Sequence, residues 1–201
     1  MLIHDLRDHP KTFLKNNAVW VSGQMNFRGR GKAEIWPVTL VRASGVSCTR
    51  QGVNLPCWEI VPATSLSEHA LAYFLPWAPN STKEMTLGSK ATLFITDTMN
   101  GCTFAGVGGP SPRVAHLNYN VDRQEGNPLD QGIIDGEITR LFTATPVKTL
   151  KKADYATSTF PNVTVLGTLR DSGWRFVYQK RDYTGATGTR NYVWKGVHSI
   201  R

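Results

Sequence analysis

Two residues carry the chemistry this sequence can offer. Cys102 lies in the stretch Thr96-Asp97-Thr98-Met99-Asn100-Gly101-Cys102-Thr103-Phe104-Ala105-Gly106, and His116 follows in Val114-Ala115-His116. A thiol at its usual pKa of about 8.5 is mostly protonated at neutral pH, and a neighbouring imidazole can convert it into a nucleophile. The chain between them is long enough for a loop outward and an extended return, which would set the imidazole beside the sulfur. Gly101 lets the backbone turn sharply before Cys102. The peptide N–H groups of Gly101 and Cys102, outside any strand ladder, are candidates to stabilise an oxyanion. A plainer reading stands beside this one: a lone cysteine is usually a small buried apolar residue, and a lone strand histidine usually a structural one.

These residues need elements to hold them. Thr92–Thr98 is apolar on both faces and is expected to be a central strand ending just before the cysteine. Asn100–Pro112, rich in glycine and proline, is expected to hold no regular element, with an extended pattern resuming at Val114–Asn118. Upstream, residues 2–15 show a helical stripe broken by Pro10. Val19–Ser22, Glu34–Arg42 and Trp58–Val61 are expected strands, and Ser67–Phe74 a helical turn or two stopped by Pro76. Residues 120–136 are polar and turn-rich, and Glu137–Phe142 is an expected helical turn. Strands at Thr164–Leu169, Arg175–Gln179 and Tyr192–His198 complete the pattern. Many short strands with few helices predict an α+β sandwich of mixed β-sheets flanked by helices.

The 201 residues suit a single domain, 1–201, able to bury a core without metal or disulfide staples. Charged residues are 19% of the chain, which excludes a coiled coil or a disordered tail. No apolar run approaches the roughly 18 residues of a membrane span, and the N-terminus lacks the apolar core of a cleaved secretory signal. Three cysteines cannot all pair within one chain; Cys48 and Cys57 read as small buried residues that a hairpin might otherwise bridge.

The segment around Cys102 resembles the bacterial protein glutamine deamidase toxins, the group that includes the cytotoxic necrotizing factors, the chemoreceptor deamidase and Burkholderia lethal factor. The likeness lies in Phe94-Ile95-Thr96, Asn100-Gly101-Cys102, Phe104-Ala105-Gly106, Gly108-Gly109-Pro110 and His116, with Leu75-Pro76-Trp77 upstream. It is sharp over residues 75–116. Asn100 stands where a serine is usual, and Ser111-Pro112-Arg113 takes up two additional residues before His116. The resemblance implies a cytotoxic necrotizing factor catalytic-domain-like fold. It also implies Cys102 as nucleophile, His116 as base and Thr96 holding His116 through its hydroxyl. It implies a thioester mechanism without cofactor or metal, and a monomer acting on a host protein. That protein would be an initiation-factor helicase, with inhibition of translation, or a Rho-type GTPase. Such an enzyme is made in the bacterial cytoplasm without a cleaved signal peptide and acts in the host cytosol after delivery.

The net charge of +8 keeps a rival open. Phe27-Arg28-Gly29-Arg30-Gly31-Lys32 and Lys148–Lys152 would suit a basic nucleic-acid-binding β-sandwich, although no RNA-binding motif accompanies them. A transglutaminase using the same dyad is the nearest enzymatic alternative, and an inert sandwich the plainest reading of all.

Overall fold

The computed structural model describes residues 2–23, 25, 33–64, 68–124, 127–143, 146–156, 160–185 and 190–200. The Phe27–Lys32 segment lies outside them. Among the described residues, fourteen strands form two sheets. The larger runs β1(Ala18–Val21), β5(Cys57–Pro62), β2(Glu34–Arg42), β6(Ala70–Leu75), β8(Leu93–Thr96), β12(Pro161–Arg170), β13(Gly173–Tyr183), β14(Arg190–Ser199), β3(Val46–Arg50), β4(Val53–Asn54). The smaller runs β11(Lys148–Leu150), β9(Thr103–Gly106), β10(Arg113–Asn118), β7(Ser81–Thr86). Only the larger sheet is mixed, with β1–β5, β6–β8 and β14–β3 parallel; the smaller is antiparallel throughout.

Helices α1(Leu2–Asp8) and α2(Pro10–Asn16) cover one face of the large sheet. Pro10 ends one helix and opens the next, where its missing N–H costs nothing. Ile3, Leu6, Phe13 and Leu14 pack there on Ala72, Phe74, Leu93 and Ile95. The alternate residues Tyr73, Leu75 and Phe94 point the other way and meet the small sheet. This period of two explains why β6 and β8 are apolar at almost every position: both of their faces are covered. Between the sheets, Phe94, Phe104 and Phe176 form an aromatic triangle with ring centroids 5.3–5.9 Å apart. Helix α3(Gln131–Leu141), capped by Asp130 accepting from the Ile133 N–H, closes the outer face of the small sheet with Ile134, Ile138 and Leu141. A short helix α4(Lys152–Tyr155) follows β11. The layers are therefore helix, sheet, sheet, helix.

Two sequence expectations fail. Residues 70–75 form strand β6, not helical turns, because pairing with β2 and β8 outweighs the helix propensity of Ala and Leu. The glycine-rich stretch after Cys102 does contain a regular element, β9, fully buried and paired on both edges. Cys48 and Cys57 are free, buried thiols in one cluster with Trp20 and Ala43.

Candidate active site

Strand β8 ends at Thr96, and the chain turns through Asn100 and Gly101 to place Cys102 one residue ahead of β9. Gly101 keeps an ordinary φ, so the turn itself does not require glycine. What its hydrogen leaves open is space: a Cβ there would touch the Leu129 side chain at 3.4 Å. The peptides of Gly101 and Cys102 precede the ladder pairing of β9, which begins at Thr103. The Cys102 N–H faces its own sulfur and favours the thiolate, though weakly against the effect of burial. The Tyr155 hydroxyl donates to the Cys102 carbonyl at 2.7 Å and anchors this peptide from α4.

His116 lies on β10, directly opposite Phe104 of β9. In an antiparallel pair with this register, residues 102, 104, 116 and 118 share one face, so Cys102 and His116 are diagonal neighbours across two strands. The loop Val107–Pro112 leaves this register undisturbed and takes up Ser111 and Pro112, while Arg113 belongs to the strand. It is tied down by the Gly109 carbonyl, which accepts from the Trp174 N–H at 3.1 Å. That contact requires glycine at 173, where φ is +97° and a Cβ would lie 2.7 Å from the Gly109 oxygen.

The structure differs from the expected thiolate–imidazolium pair. Cys102 is 5% exposed, and burial pushes its thiol up to about 12, with the nearby Asp97 carboxylate adding to the effect. His116 is 1% exposed, and burial lowers its imidazole to about 4. The carbonyls of Leu75 and Pro76 favour a proton on the ring, but neither ring nitrogen has a partner in hydrogen-bonding geometry. Both groups are thus held neutral. Thr96 also departs from its expected role. Its Oγ1 accepts from the Val165 N–H of β12 at 3.2 Å, so it braces the large sheet and makes no bond to His116. It does pair with Leu75, whose carbonyl acts on the His116 ring.

A cleft of about 350 Å³ opens onto the sulfur-bearing turn. Its walls are Trp77, Pro79, Asn100, Gly101, Cys102, Asn118, Asn120 and Leu129. His116 and Thr96 lie behind this wall, so Cys102 alone of the three reaches it. The Asn120 side chain is spent on the Asn127 carbonyl. Asn118, opposite the position of Cys102 by register, remains to meet a polar group in the cleft. Asn118 and Asp97 were not expected from the sequence. Asn118 lies two residues beyond His116, and the strand period of two was the signal that places it on the same face. Asp97 adjoins Thr96 and carried no signal of its own.

The buried imidazole has a consequence for stability. Its ordinary value of 6.5 falls to about 4 in the folded protein, so between these values the unfolded chain binds the proton first. Stability from this group is complete above about pH 6.5 and declines as pH falls towards 4, by on the order of 3 kcal/mol. Urea titrations at pH 7 and pH 4.5 are expected to show this loss in the native chain and a smaller loss in His116→Phe. Equal acid sensitivity in both would remove His116 as the cause.

The fold and site define an α+β sandwich with a buried cysteine at the edge of a polar cleft. No protein-family model matches the chain, and a search of curated proteins returns no match. Among the described residues, no group of three or more His, Cys, Asp or Glu side chains is placed to hold a metal, and no helix is long and apolar enough to cross a membrane.

Proposed function

We propose that this chain is a cysteine-dependent protein glutamine deamidase, with Cys102 as nucleophile and His116 as base. The observation that carries the reading is the shared face of Cys102 and His116 on a two-stranded pair, with the sulfur-bearing turn at a cleft edged by carboxamide side chains. A glutamine side chain entering beside Trp77 brings its carboxamide carbon to the sulfur. Once substrate entry brings the buried His116 ring within reach of the sulfur and the cleft, the C–S bond forms as the thiol proton passes to His116, and the peptide N–H groups of Gly101 and Cys102 receive the oxyanion. His116 then gives that proton to the departing nitrogen, which leaves as ammonia. Water attacks the thioester, His116 takes its proton, and glutamate leaves as the sulfur recovers its hydrogen. The balance is glutamine plus water to glutamate plus ammonia. Because both groups start neutral, proton transfer accompanies bond formation instead of preceding it. The Asn118 carboxamide can accept from the substrate NH₂, which a glutamate side chain would not offer.

The resemblance around Cys102 supports a bacterial toxin whose substrate is a host protein, either an initiation-factor helicase with arrest of translation or a Rho-type GTPase. The test is peptide mass spectrometry of host-cell lysate treated with wild-type protein and with Cys102→Ser. One glutamine converted to glutamate by the wild type alone is the expected result and would name the target. Amine incorporation at that glutamine would instead identify a transglutaminase. Conversion that persists in folded Cys102→Ser would overturn the mechanism, since a serine hydroxyl is far harder to ionise.

A further inference from the structure

A second cleft lies away from Cys102. It is about 510 Å³ and opens where the α1–α2 junction meets the ends of β11, β12 and β13. Lys11, Lys148, Arg170 and Arg175 line it, from four different elements, against a single carboxylate, Asp8. Asp8 is already spent: it takes a two-pronged contact from Arg7 at 2.7 Å on both oxygens. The two arginines of the cleft are held in place by neutral acceptors. Arg170 donates to the carbonyls of Arg7 and Asp8, and Arg175 to the Ser172 hydroxyl at 3.0 Å. Among the described residues, none of these four cations forms a carboxylate salt bridge. Trp174, 5% exposed, also lines it, and its buried indole N–H has no hydrogen-bond partner.

Like charges gathered in one concavity repel each other, and an unpaired buried donor is costly to maintain. The repulsion is relieved by one kind of ligand, a compact multivalent anion with several acceptor oxygens. We propose that this cleft binds a small molecule bearing two or more phosphate groups. Its volume exceeds that of a single phosphate, and its cations come from four different elements, which suits linked phosphates better than one. Guanidinium groups already held by neutral acceptors lose little freedom on meeting such a ligand. The site is separate from the cleft at Cys102, with which it shares no residue. It does adjoin the supports of the hairpin that carries Cys102 and His116: Lys148 pairs with Gly106, and the Trp174 N–H holds Gly109.

The test is calorimetric titration of the full chain with tripolyphosphate and with monophosphate at matched ionic strength. A ¹H–¹⁵N spectrum follows the six Trp indole signals, with that of Trp174 assigned through Trp174→Phe. Tripolyphosphate is expected to bind saturably and much more tightly than monophosphate, and to move the Trp174 signal. Lys11→Glu with Lys148→Glu is expected to weaken binding by about 10-fold or more, as reversal of charges facing an anion does. Both lysines lie at the rim, and circular dichroism checks that the double variant is folded. An absence of saturable binding, a Trp174 signal that stays fixed, or equal affinity in the double variant would each overturn the site. So would binding of single-stranded DNA that the double variant leaves unchanged, which would assign the positive charge to a diffuse nucleic-acid surface.

Discussion

Cys102 is expected to alkylate slowly in the chain alone in solution. Burial pushes its thiol up to about 12, so at neutral pH its thiolate fraction is roughly a thousand-fold below that of a free thiol. Raising the pH towards 9 increases labelling tenfold for each unit, because the thiol remains far below its midpoint. Cys48 is held as high, also by burial, and Cys57 is raised too. No thiol is therefore expected to react selectively at mildly acidic pH. His116→Ala is expected to leave the slow labelling in place, since the imidazole near 4 supplies no cation to support a thiolate. Peptide-level iodoacetamide labelling against pH measures all of this. Labelling of Cys102 ahead of the other two at pH 6, lost in His116→Ala, would show that a thiolate–imidazolium pair forms after all.

Arg181→Ala is expected to destabilise the fold by on the order of 3 kcal/mol, from buried acceptors left unpaired and packing volume lost. Arg181 is fully buried, and burial lowers its guanidinium to about 10, still charged at neutral pH. Among the described residues its hydrogen-bond partners are uncharged: the Asn162 amide oxygen at 2.6 and 3.1 Å, Gln179 at 2.7 Å, Thr164 at 3.0 Å and the Val19 carbonyl. The Trp20 ring lies 4.6 Å from its charged carbon. Removing the side chain takes a donor from the buried Asn162 and Thr164 oxygens, while Gln179 keeps the Val19 N–H, and it opens a void beside β1. Arg181→Met keeps much of the volume and is expected to recover part of the loss. Urea denaturation of the three proteins checks the order. An Arg181→Ala variant as stable as the wild type would mean that water satisfies the acceptors at no cost.

Different parts of this molecule were legible to different degrees. Strand β8 was visible because both its faces are covered and its sequence is accordingly apolar throughout. The extended return at His116 was visible because a loop and a strand back are a local matter, fixed by the chain between them. The neutral state of Cys102 and His116 was not. It depends on the large sheet lying across them, and that contact joins residues distant in sequence. Thr96 shows the same limit from the other side: its hydroxyl was free to bond in two directions, and β12, arriving some seventy residues later, took it. Arg181 was hidden for a related reason. A charged residue at the end of an expected strand reads as exposed, and only the return of β1 over β12 and β13 buries it.

That return also bears on the order in which the chain can mature during synthesis. The Gln179 side-chain amide donates to the Leu14 and Asn17 carbonyls, and its oxygen accepts from the Val19 N–H. Trp194 donates to the Leu14 carbonyl as well. The α2–β1 junction therefore docks on strands made 162 to 180 residues later. Until Gln179 and Trp194 have been synthesised, the Leu14 and Asn17 carbonyls lack these donors, although the apolar faces of α1 and α2 can already meet β6 and β8. On a nascent chain this junction is closed only in a late step.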